Sequence, residues 1–253
     1  MTATESSDSG ANLYDDKQAS AASGIPLPSL RVLQAMKVVR SQKIGKAHGG
    51  YRRAWSEREI LKARVAASMN EHFALNFRIV SEAMSKFKPA TWDQLVTVED
   101  ADITATVRYA ELIEPDIPET SIVMASSHDW HLELVDRKYL FLKARSVAAE
   151  DAPEAISGQS DILMGIVQPH FFLFIPWDFD SPARNAELRT TLGADNFRTM
   201  DKFYRGAMTA RGNFLSKSTI NGSMQVRMAW HRLRGRNACF IQDLLQFGKG
   251  DSE

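Results

Sequence analysis

The segment from Asp161 to Phe179 is the most apolar part of the chain, and it constrains the fold more than any other stretch. Gln168, Pro169 and His170 interrupt it, so neither half comes near the roughly 18 apolar residues that span a membrane. Short runs rich in branched and aromatic residues predict buried strands. We therefore expect two strands, at 162–167 and 170–175, or one strand broken at Pro169. Other elements have to cover such a sheet, and 253 residues suffice for this in one domain.

The residues that precede this segment predict a β-hairpin. Trp130, Leu132 and Leu134 alternate with polar residues, which is typical of a strand with one buried face. The polar run 136–138 turns the chain, and residues 139–143 return.

The residues that follow it predict a helix pair and a second hairpin. Ser181 and Pro182 indicate the start of a helix that Gly193 ends. A second helix is expected from 195 to 212. The alternation of Met, Val and Trp with polar residues then predicts a C-terminal hairpin over 224–247, with its turn at the arginine-rich centre.

Residues 72–80 allow two interpretations. Alternating Phe, Leu and Ile residues are typical of a strand. The same region would also present one apolar helical face, formed by Met69, Phe73, Phe77, Val80, Met84 and Phe87. The aromatic and branched residues favour the strand.

The N-terminal quarter differs in composition from the rest. Residues 1–30 are rich in Ser, Ala, Asp and Gly, which predicts a disordered acidic tail whose removal leaves the fold intact. Residues 31–65 predict a basic helical arm, and residues 66–253 the globular part. Together the patterns predict an α+β fold: a single compact domain with a mixed or antiparallel sheet and packed helices, preceded by the tail and the basic arm.

The formal net charge is zero, but the charges occur in blocks of alternating sign. Residues 31–65 carry ten bases and two acids, residues 93–161 fifteen acids and five bases, and residues 183–249 twelve bases and four acids. Two interpretations stay open. The blocks are either solvated faces whose signs cancel, or surfaces through which copies pack against one another while spare basic surface meets RNA or anionic lipid.

The sequence contains none of the common nucleotide-binding, metalloprotease or hydrolase motifs, so we expect no catalytic residue, no cofactor and no metal. The best metal candidate is the set His128, Asp129 and His131. On the predicted strand, residues three apart point to opposite sides, which favours a structural role. One cysteine, Cys239, excludes an internal disulfide, and the N-terminus lacks a signal-peptide pattern. A cytosolic or nuclear protein is therefore expected.

Three groups of residues are predicted to bind partners. The first contains cations on the expected arm, suited to an anionic membrane or a ribonucleoprotein: Lys37, Arg40, Lys43, Lys46, Arg52 and Arg53. The second lies in the C-terminal turn and fits phosphate contact or a nuclear import receptor: Arg232, Arg234 and Arg236. The third is a stiff apolar segment that either begins the fold or docks in extended form on another copy, giving self-association: Ile25, Pro26, Leu27 and Pro28.

Two blocks, together about half of the chain, resemble the matrix proteins of rhabdoviruses. In the first block, the Phe-rich segment His72–Val80 matches a first strand, followed by a proline and the helix start Thr91–Gln94. In the second, Met164–Ile175 matches a glycine-bearing strand, a short break and a long apolar strand. The acidic bend Asp178–Asp180 follows, and then a helix pair whose second member begins like Asn196–Phe203.

This resemblance implies a non-enzymatic structural protein of the virion that forms a layer between nucleocapsid and envelope. It would form a homo-oligomer, condense the viral nucleocapsid and its RNA, and touch the inner leaflet of an anionic membrane as a peripheral membrane protein in the host cytoplasm or nucleus. The chain has no PPxY or PTAP motif, which would suit a plant-infecting member. Two alternatives stay open: a viral capsid or nucleocapsid-type RNA-binding protein, and a metal-dependent hydrolase.

Overall fold

The computed structural model describes residues 12–47, 50–85, 87, 92–93, 95–98, 120–126, 129–143, 161–168, 171–175, 179 and 181–240. These residues form seven helices and three sheets, which confirms the predicted α+β class. Most of the predicted return strand of the C-terminal hairpin, from residue 241 on, lies outside the described residues, as does His128.

In chain order the elements are β1 (Leu13–Tyr14), α1 (Asp16–Ser23), α2 (Leu27–Ala35), β2 (Gln42–Ala47), β3 (Gly50–Ser56), α3 (Glu57–Phe73), α4 (Phe77–Ser85), β4 (Thr120–Val123), β5 (His131–Val135), β6 (Tyr139–Lys143), β7 (Asp161–Gln168), β8 (Phe171–Ile175), α5 (Pro182–Leu192), α6 (Ala194–Gly212), β9 (Lys217–Asn221), α7 (Gly222–Leu233) and β10 (Asn237–Phe240).

The largest sheet is antiparallel throughout and has the strand order β8-β7-β6-β5-β9. It contains the predicted hairpin β5–β6 and the predicted strand pair β7–β8. Leu132 lies opposite Leu142 across the hairpin, and this pair belongs to one face of the sheet. Val135 lies opposite Tyr139, and that pair belongs to the other face. Because successive side chains point to opposite faces, the sheet has two apolar faces, and each needs its own helical cover.

Helices cover one face of the sheet through a large core built around α3. Leu132, Leu142 and Ile220 of the sheet belong to the same buried cluster as Ile60 and Met69 of α3. Helices α1, α2, α4 and α7 add to this cluster. All residues of α3 from 59 to 69 are buried, so this helix is the centre of the layer.

The predicted helix pair covers the opposite face. The Ser181 hydroxyl accepts a hydrogen bond from the N–H of Arg184 and so caps α5, which ends at Gly193. Phe197, Met200 and Phe203 of α6 pack in a second buried cluster, against side chains of β5 and β6. The helix pair is therefore held by aromatic packing, including the stacked rings of Phe179 and Phe197.

Two small sheets complete the fold. In the first, β3 pairs antiparallel with both β1 and β2. In the second, β4 and β10 pair in parallel, although about half of the chain separates them in sequence. None of the helices in the described residues combines the length and hydrophobicity that crossing a bilayer requires.

The prediction that residues 1–30 form a disordered tail is wrong for residues 12–30. Asp15 and Gln18 form a reciprocal capping box at the start of α1, and Gly24 ends this helix in the left-handed conformation. Ala19, Ala22, Ile25 and Leu30 are buried in the large core. Small residues allow α1 to approach its neighbours closely, so a segment with few large apolar side chains still contributes to the core.

The prediction of a basic helical arm over residues 31–65 is also wrong. Helix α2 ends at Ala35, a β-hairpin follows, and α3 belongs to the core. Not all of the positive charge of this block lies at the surface. Lys62 is buried and pairs with Glu59 at 3.0 Å, while Arg64 is buried and pairs with Glu71 at 3.0 Å.

The strand expected at 72–80 is replaced by the end of α3 and the start of α4. Ala74, at φ +54°, ends α3 in the left-handed conformation, and α4 begins at Phe77. Met69, Phe73 and Val80 are buried, which agrees with the helical interpretation of the pattern. The first block of the resemblance therefore has helices where a strand was matched.

The predicted C-terminal hairpin is wrong as well. Residues 222–233 form α7, which Asn221 caps by accepting a hydrogen bond from the N–H of Met224. Val226, Met228 and Ala229 are buried on different sides of this helix. A helix buried on most of its surface lacks the polar stripe that reveals the helical period, so an alternating interpretation looked equally good.

Candidate functional site

The strands β2 and β3 form a two-stranded unit that we call the basic hairpin, residues 42–56. It carries four of the six cations predicted to bind an anionic partner, Lys43, Lys46, Arg52 and Arg53. The other two, Lys37 and Arg40, are exposed on the segment that leads into β2. The structure thus brings the predicted set into one region, although on a β-hairpin and not on a helix.

The register of the basic hairpin explains how its cations are arranged. Lys43 lies opposite Arg53, and Ile44 lies opposite Arg52. The pairing shifts after Ile44, at Gly45, whose φ of +56° gives a bulge that glycine accommodates without strain. Opposed residues share a face, so each face of the hairpin carries at least one arginine.

Two exposed apolar side chains lie among these cations. Ile44 is 44% exposed and Tyr51 is 60% exposed. The ammonium of Lys43 lies 5.7 Å from the centre of the Tyr51 ring. Aromatic and aliphatic groups next to cations suit a surface with anionic groups above an apolar layer, or a chain of phosphates with stackable bases.

The base of the basic hairpin is fixed to the core. Trp55 is fully buried, and its indole N–H donates a hydrogen bond of 2.8 Å to Asp16 of α1. The backbone N–H of Arg40 donates to the Glu59 carboxylate of α3 at 2.6 Å. These contacts hold the base of the hairpin against two helices.

The cations of the set differ in how freely they meet solvent. Lys43 and Arg52 are exposed, as predicted. Arg53 is half-buried, with Nη1 3.9 Å from the Asp16 carboxylate. Asp16 also lies 3.9 Å from Arg31, so part of the positive charge at the base is balanced within the protein. Among the hairpin cations whose side chains the structure describes, Lys43 and Arg52 therefore have the best position for contacting a partner.

The second predicted group is tied to the protein more closely than expected. The Arg234 guanidinium lies 3.5 Å from the centre of the Trp230 ring and 3.2 Å from the Glu57 carboxylate. Arg232 is half-buried in the last turn of α7, whereas Arg236 is exposed. The three residues occupy a helix end and the turn after it, and not a hairpin turn.

The third predicted group begins the fold, which was the first of its two interpretations. Ile25 is buried, and its carbonyl accepts a hydrogen bond of 2.6 Å from the Ser20 hydroxyl. Leu27 and Pro28 form the first turn of α2, where a missing proline N–H costs nothing. Leu27 and Pro28 are therefore helical and not extended, and self-association through Ile25, Pro26, Leu27 and Pro28 stays a prediction.

The carboxylate of Asp129, the acidic member of the metal candidate, accepts hydrogen bonds from neighbouring residues of the protein. Its carboxylate accepts hydrogen bonds from Arg227 at 2.7 and 2.9 Å, from Asn221 at 2.6 Å and from the N–H of Ser126 at 2.9 Å. Burial alone would raise the pKa of Asp129, but these hydrogen bonds and the charge of Arg227 hold it below its ordinary value. The described residues contain no cluster of three or more His, Cys, Asp or Glu side chains suited to a metal ion.

Sequence reasoning missed the role of two residues of α7. Arg227 was expected among the alternating polar residues of the predicted C-terminal hairpin, but it is buried against Asp129. His231 is fully buried, and neither of its ring nitrogens has a hydrogen-bond partner. Burial, together with the charges of Arg236, Arg234 and Arg227, lowers the pKa of His231 to about 4. The interpretation of this segment as a strand hid both positions.

Comparison with known proteins gives the chain no family. No protein-family model matches the sequence, and the curated proteins contain no significant match.

Proposed function

We propose that this protein is a non-enzymatic structural protein that binds an anionic surface through the basic hairpin and self-associates. Its role would be that of a viral matrix protein, which bridges ribonucleoprotein and membrane during virion assembly. The observation that carries the proposal is the exposed pairing of cations with apolar groups on this hairpin: Lys43 and Arg52 beside Ile44 and Tyr51.

The exposed side chains of the hairpin favour a binding role over a structural one. Ile44 and Tyr51 leave much of their apolar surface in solvent, whereas Ala54 and Trp55 of β3 are buried. Cations near an anionic membrane contribute about 1 kcal/mol each, and contacts of the same cations with phosphates release counterions. The fixed base reduces the ordering cost of binding.

The matrix-like part of the proposal rests on the second block of the resemblance. There the strand pair β7–β8 and the helix pair α5–α6 follow one another in the order that the resemblance implies. The first block of the resemblance does not support the proposal, because residues 57–73 and 77–85 are helices where the resemblance matched a strand. The carboxylate of Asp129 forms a salt bridge with Arg227, so it is less suited to binding a metal ion, and this favours a protein without metal-dependent hydrolase activity.

Vesicle flotation tests the proposal with two variants of equal charge change. The hairpin variant, Lys43→Gln/Arg52→Gln, removes two exposed cations from the basic hairpin. The control variant, Arg78→Gln/Lys202→Gln, removes two exposed cations from α4 and α6. Loss of two cations at about 1 kcal/mol each predicts roughly 30-fold weaker binding of the hairpin variant to phosphatidylserine-containing vesicles. The control should bind within about threefold of wild type, because distant exposed charges are screened.

RNA binding by the same proteins separates the two partners. Anisotropy with a labelled single-stranded RNA should show a weaker complex and a flatter salt dependence for the hairpin variant. If Tyr51→Ala weakens RNA binding strongly while vesicle binding is unchanged, the capsid or nucleocapsid-type function is favoured, because stacking on an aromatic ring is specific to bases. Equal binding of the hairpin variant and wild type to both ligands would refute the proposal.

A further inference from the structure

The loop between α6 and β9, residues 213–216, carries the most exposed large apolar side chain of the described residues. Leu215 is 98% exposed and its neighbour Phe214 is 47% exposed. No residue of the basic hairpin takes part in this loop, which joins the cover of one face of the large sheet to its edge strand. An apolar side chain with almost no contact to its own protein adds little to the stability of the fold, so it is a candidate for contact with a partner.

The backbone of this tip is held in place by the turn between β5 and β6. One carboxylate oxygen of Asp136 accepts hydrogen bonds from the N–H groups of Leu215 and Ser216, each at 2.9 Å. The N–H of Asp136 donates in return to the carbonyl of Ser216 at 2.9 Å. Leu215 is therefore presented by a fixed backbone, which lowers the entropy that insertion into a partner would cost.

Exposed cations lie next to the apolar tip. Arg137 and Lys138 follow Asp136 in the same turn and are both exposed. Lys217 lies 5.9 Å from the centre of the Phe214 ring and also pairs with Glu133 at 2.9 Å. Asp136, whose carboxylate contacts the tip, faces two backbone N–H groups. The tip is thus apolar with a cationic side.

We propose that the loop 213–216 is a second membrane-contact element, which inserts Leu215 and Phe214 into a lipid surface while Arg137 and Lys138 meet anionic headgroups. Two apolar residues on a convex tip offer far less than the roughly 1,000 Å² of a stable protein interface, so a second copy fits less well. A lipid surface accepts single inserted side chains and favours adjacent cations. The proposal deepens the membrane part of the proposed function and rests on it, but uses a different surface.

Fluorescence at the tip tests this directly. In a Cys239→Ser background, Leu215→Cys and the control Thr190→Cys, on an exposed turn of α5, each take one environment-sensitive label. With phosphatidylcholine vesicles that contain phosphatidylserine, the label at 215 should shift to the blue and be quenched by nitroxide lipids. The label at 190 should change little. Vesicles of phosphatidylcholine alone should give a smaller effect at 215.

Flotation of charge-matched variants gives a second measurement without labels. Leu215→Asp should weaken vesicle binding at least about tenfold, because a fully inserted Leu contributes more than the 1.4 kcal/mol of one decade. Thr190→Asp adds the same charge and should stay within about threefold of wild type. Leu215→Asp should leave the melting temperature nearly unchanged, since the side chain is exposed, and Thr190→Asp should lower it only slightly, because an acid in the last turn of α5 opposes the helix dipole.

The outcomes separate the two proposals. If wild type floats but the label at 215 stays in water and Leu215→Asp binds normally, the loop is not a membrane element, and the proposed function stands on the basic hairpin. If wild type does not float under any lipid composition, both proposals fail in their membrane part. Smaller oligomers of Leu215→Asp with unchanged vesicle binding would assign the tip to a contact between copies and overturn the inference.

Discussion

The guanidinium of Arg227 and the carboxylate of Asp129 form a buried, bidentate salt bridge between α7 and the segment that precedes β5. Nη1 lies 2.7 Å from one carboxylate oxygen and Nη2 lies 2.9 Å from the other, and the side chains are 4% and 1% exposed. Nη2 also donates to the carbonyl of Met124 at 2.7 Å. The pair thus joins a C-terminal helix to the loop after β4.

Removing either partner alone should destabilise the protein strongly, and the losses from the two removals should not add. Arg227→Met leaves a buried carboxylate without its charge partner, so we expect a loss of about 3–5 kcal/mol in the free energy of unfolding. Asp129→Leu/Arg227→Met should cost less than the sum of its single variants, because no buried charge remains. Urea unfolding of Arg227→Met, Asp129→Leu and the double variant measures these losses. A loss below about 1 kcal/mol in Arg227→Met would show that the pair contributes little.

Stability should fall with acidification because of His231. Its folded-state pKa of about 4 lies below the ordinary value of 6.5, so the unfolded chain binds the proton more readily. The stability contribution is complete above pH 6.5 and is lost as the pH falls towards 4, by up to about 3 kcal/mol. Asp129, whose pKa is lowered, adds a further loss only below its ordinary value of 3.8.

His231→Leu should flatten this pH dependence between 6.5 and 4 while retaining stability at neutral pH, because leucine buries no unpaired nitrogen. Thermal unfolding across the pH range gives the slope. His72→Gln removes an exposed histidine and serves as the control. A slope that is the same in His231→Leu and wild type would assign the acid sensitivity to other groups.

Gly222 should tolerate no side chain. A Cβ at this position would overlap the ring of Trp130, which is buried, and the N–H of Gly222 donates to the Trp130 carbonyl at 2.9 Å. Gly222→Ala therefore forces the ring or the start of α7 to move, at a cost of about 1–3 kcal/mol or more. Gly235→Ala, at a position with open space but φ of +71°, separates backbone strain from overlap. Equal melting temperatures of Gly222→Ala and wild type would contradict the crowding.

Deleting residues 1–30 should unfold the protein, contrary to the expectation from composition. The deletion removes α1 and four buried residues of the large core: Ala19, Ala22, Ile25 and Leu30. It also leaves the indole N–H of the buried Trp55 without Asp16. Circular dichroism and one-dimensional NMR would detect the loss of structure. A folded, cooperative truncated protein would show that α1 is dispensable.

Elements with local signals were predicted well. The turn at Asp136, the serine cap at Ser181 and the stop at Gly193 fix their elements through contacts within a few residues. The strand pair β7–β8 needed only its apolar content and the break at 169–170. These features depend little on what packs against them.

Elements whose pattern depends on distant packing were not predicted. Helix α7 is buried on most sides, so its polar residues Gln225, Arg227 and His231 mark no solvent face. Helix α1 did carry a signal, the Asp15–Gln18 capping box with Gly24, but its composition of small and polar residues outweighed it. Composition indicates how much apolar area a segment can bury. It does not indicate whether small side chains allow two helices to pack closely.

The candidate site was predicted in part. The positions of Lys43 and Arg52 as exposed cations follow from charge alone, since charged side chains are rarely buried unpaired. Their arrangement on a β-hairpin comes from the antiparallel pairing of β2 with β3, which the helical interpretation of residues 31–65 missed. The tip gives no periodic signal, because a single apolar pair, Phe214 and Leu215, between polar residues is too short to show a period.

Because β4 pairs in parallel with β10, part of the fold can form only after the residues of β10 have been synthesised. Thr120 pairs with Asn237, and α7 packs on α1 and α3, so these elements need partners that leave the ribosome much later than they do. Contacts of such sequence separation close slowly, because the chain loses much entropy before they form. While the ribosome is still translating residues before 222, the surfaces of α1, α3 and β4 lack their partners, and nascent chains in this state are candidates for chaperone binding.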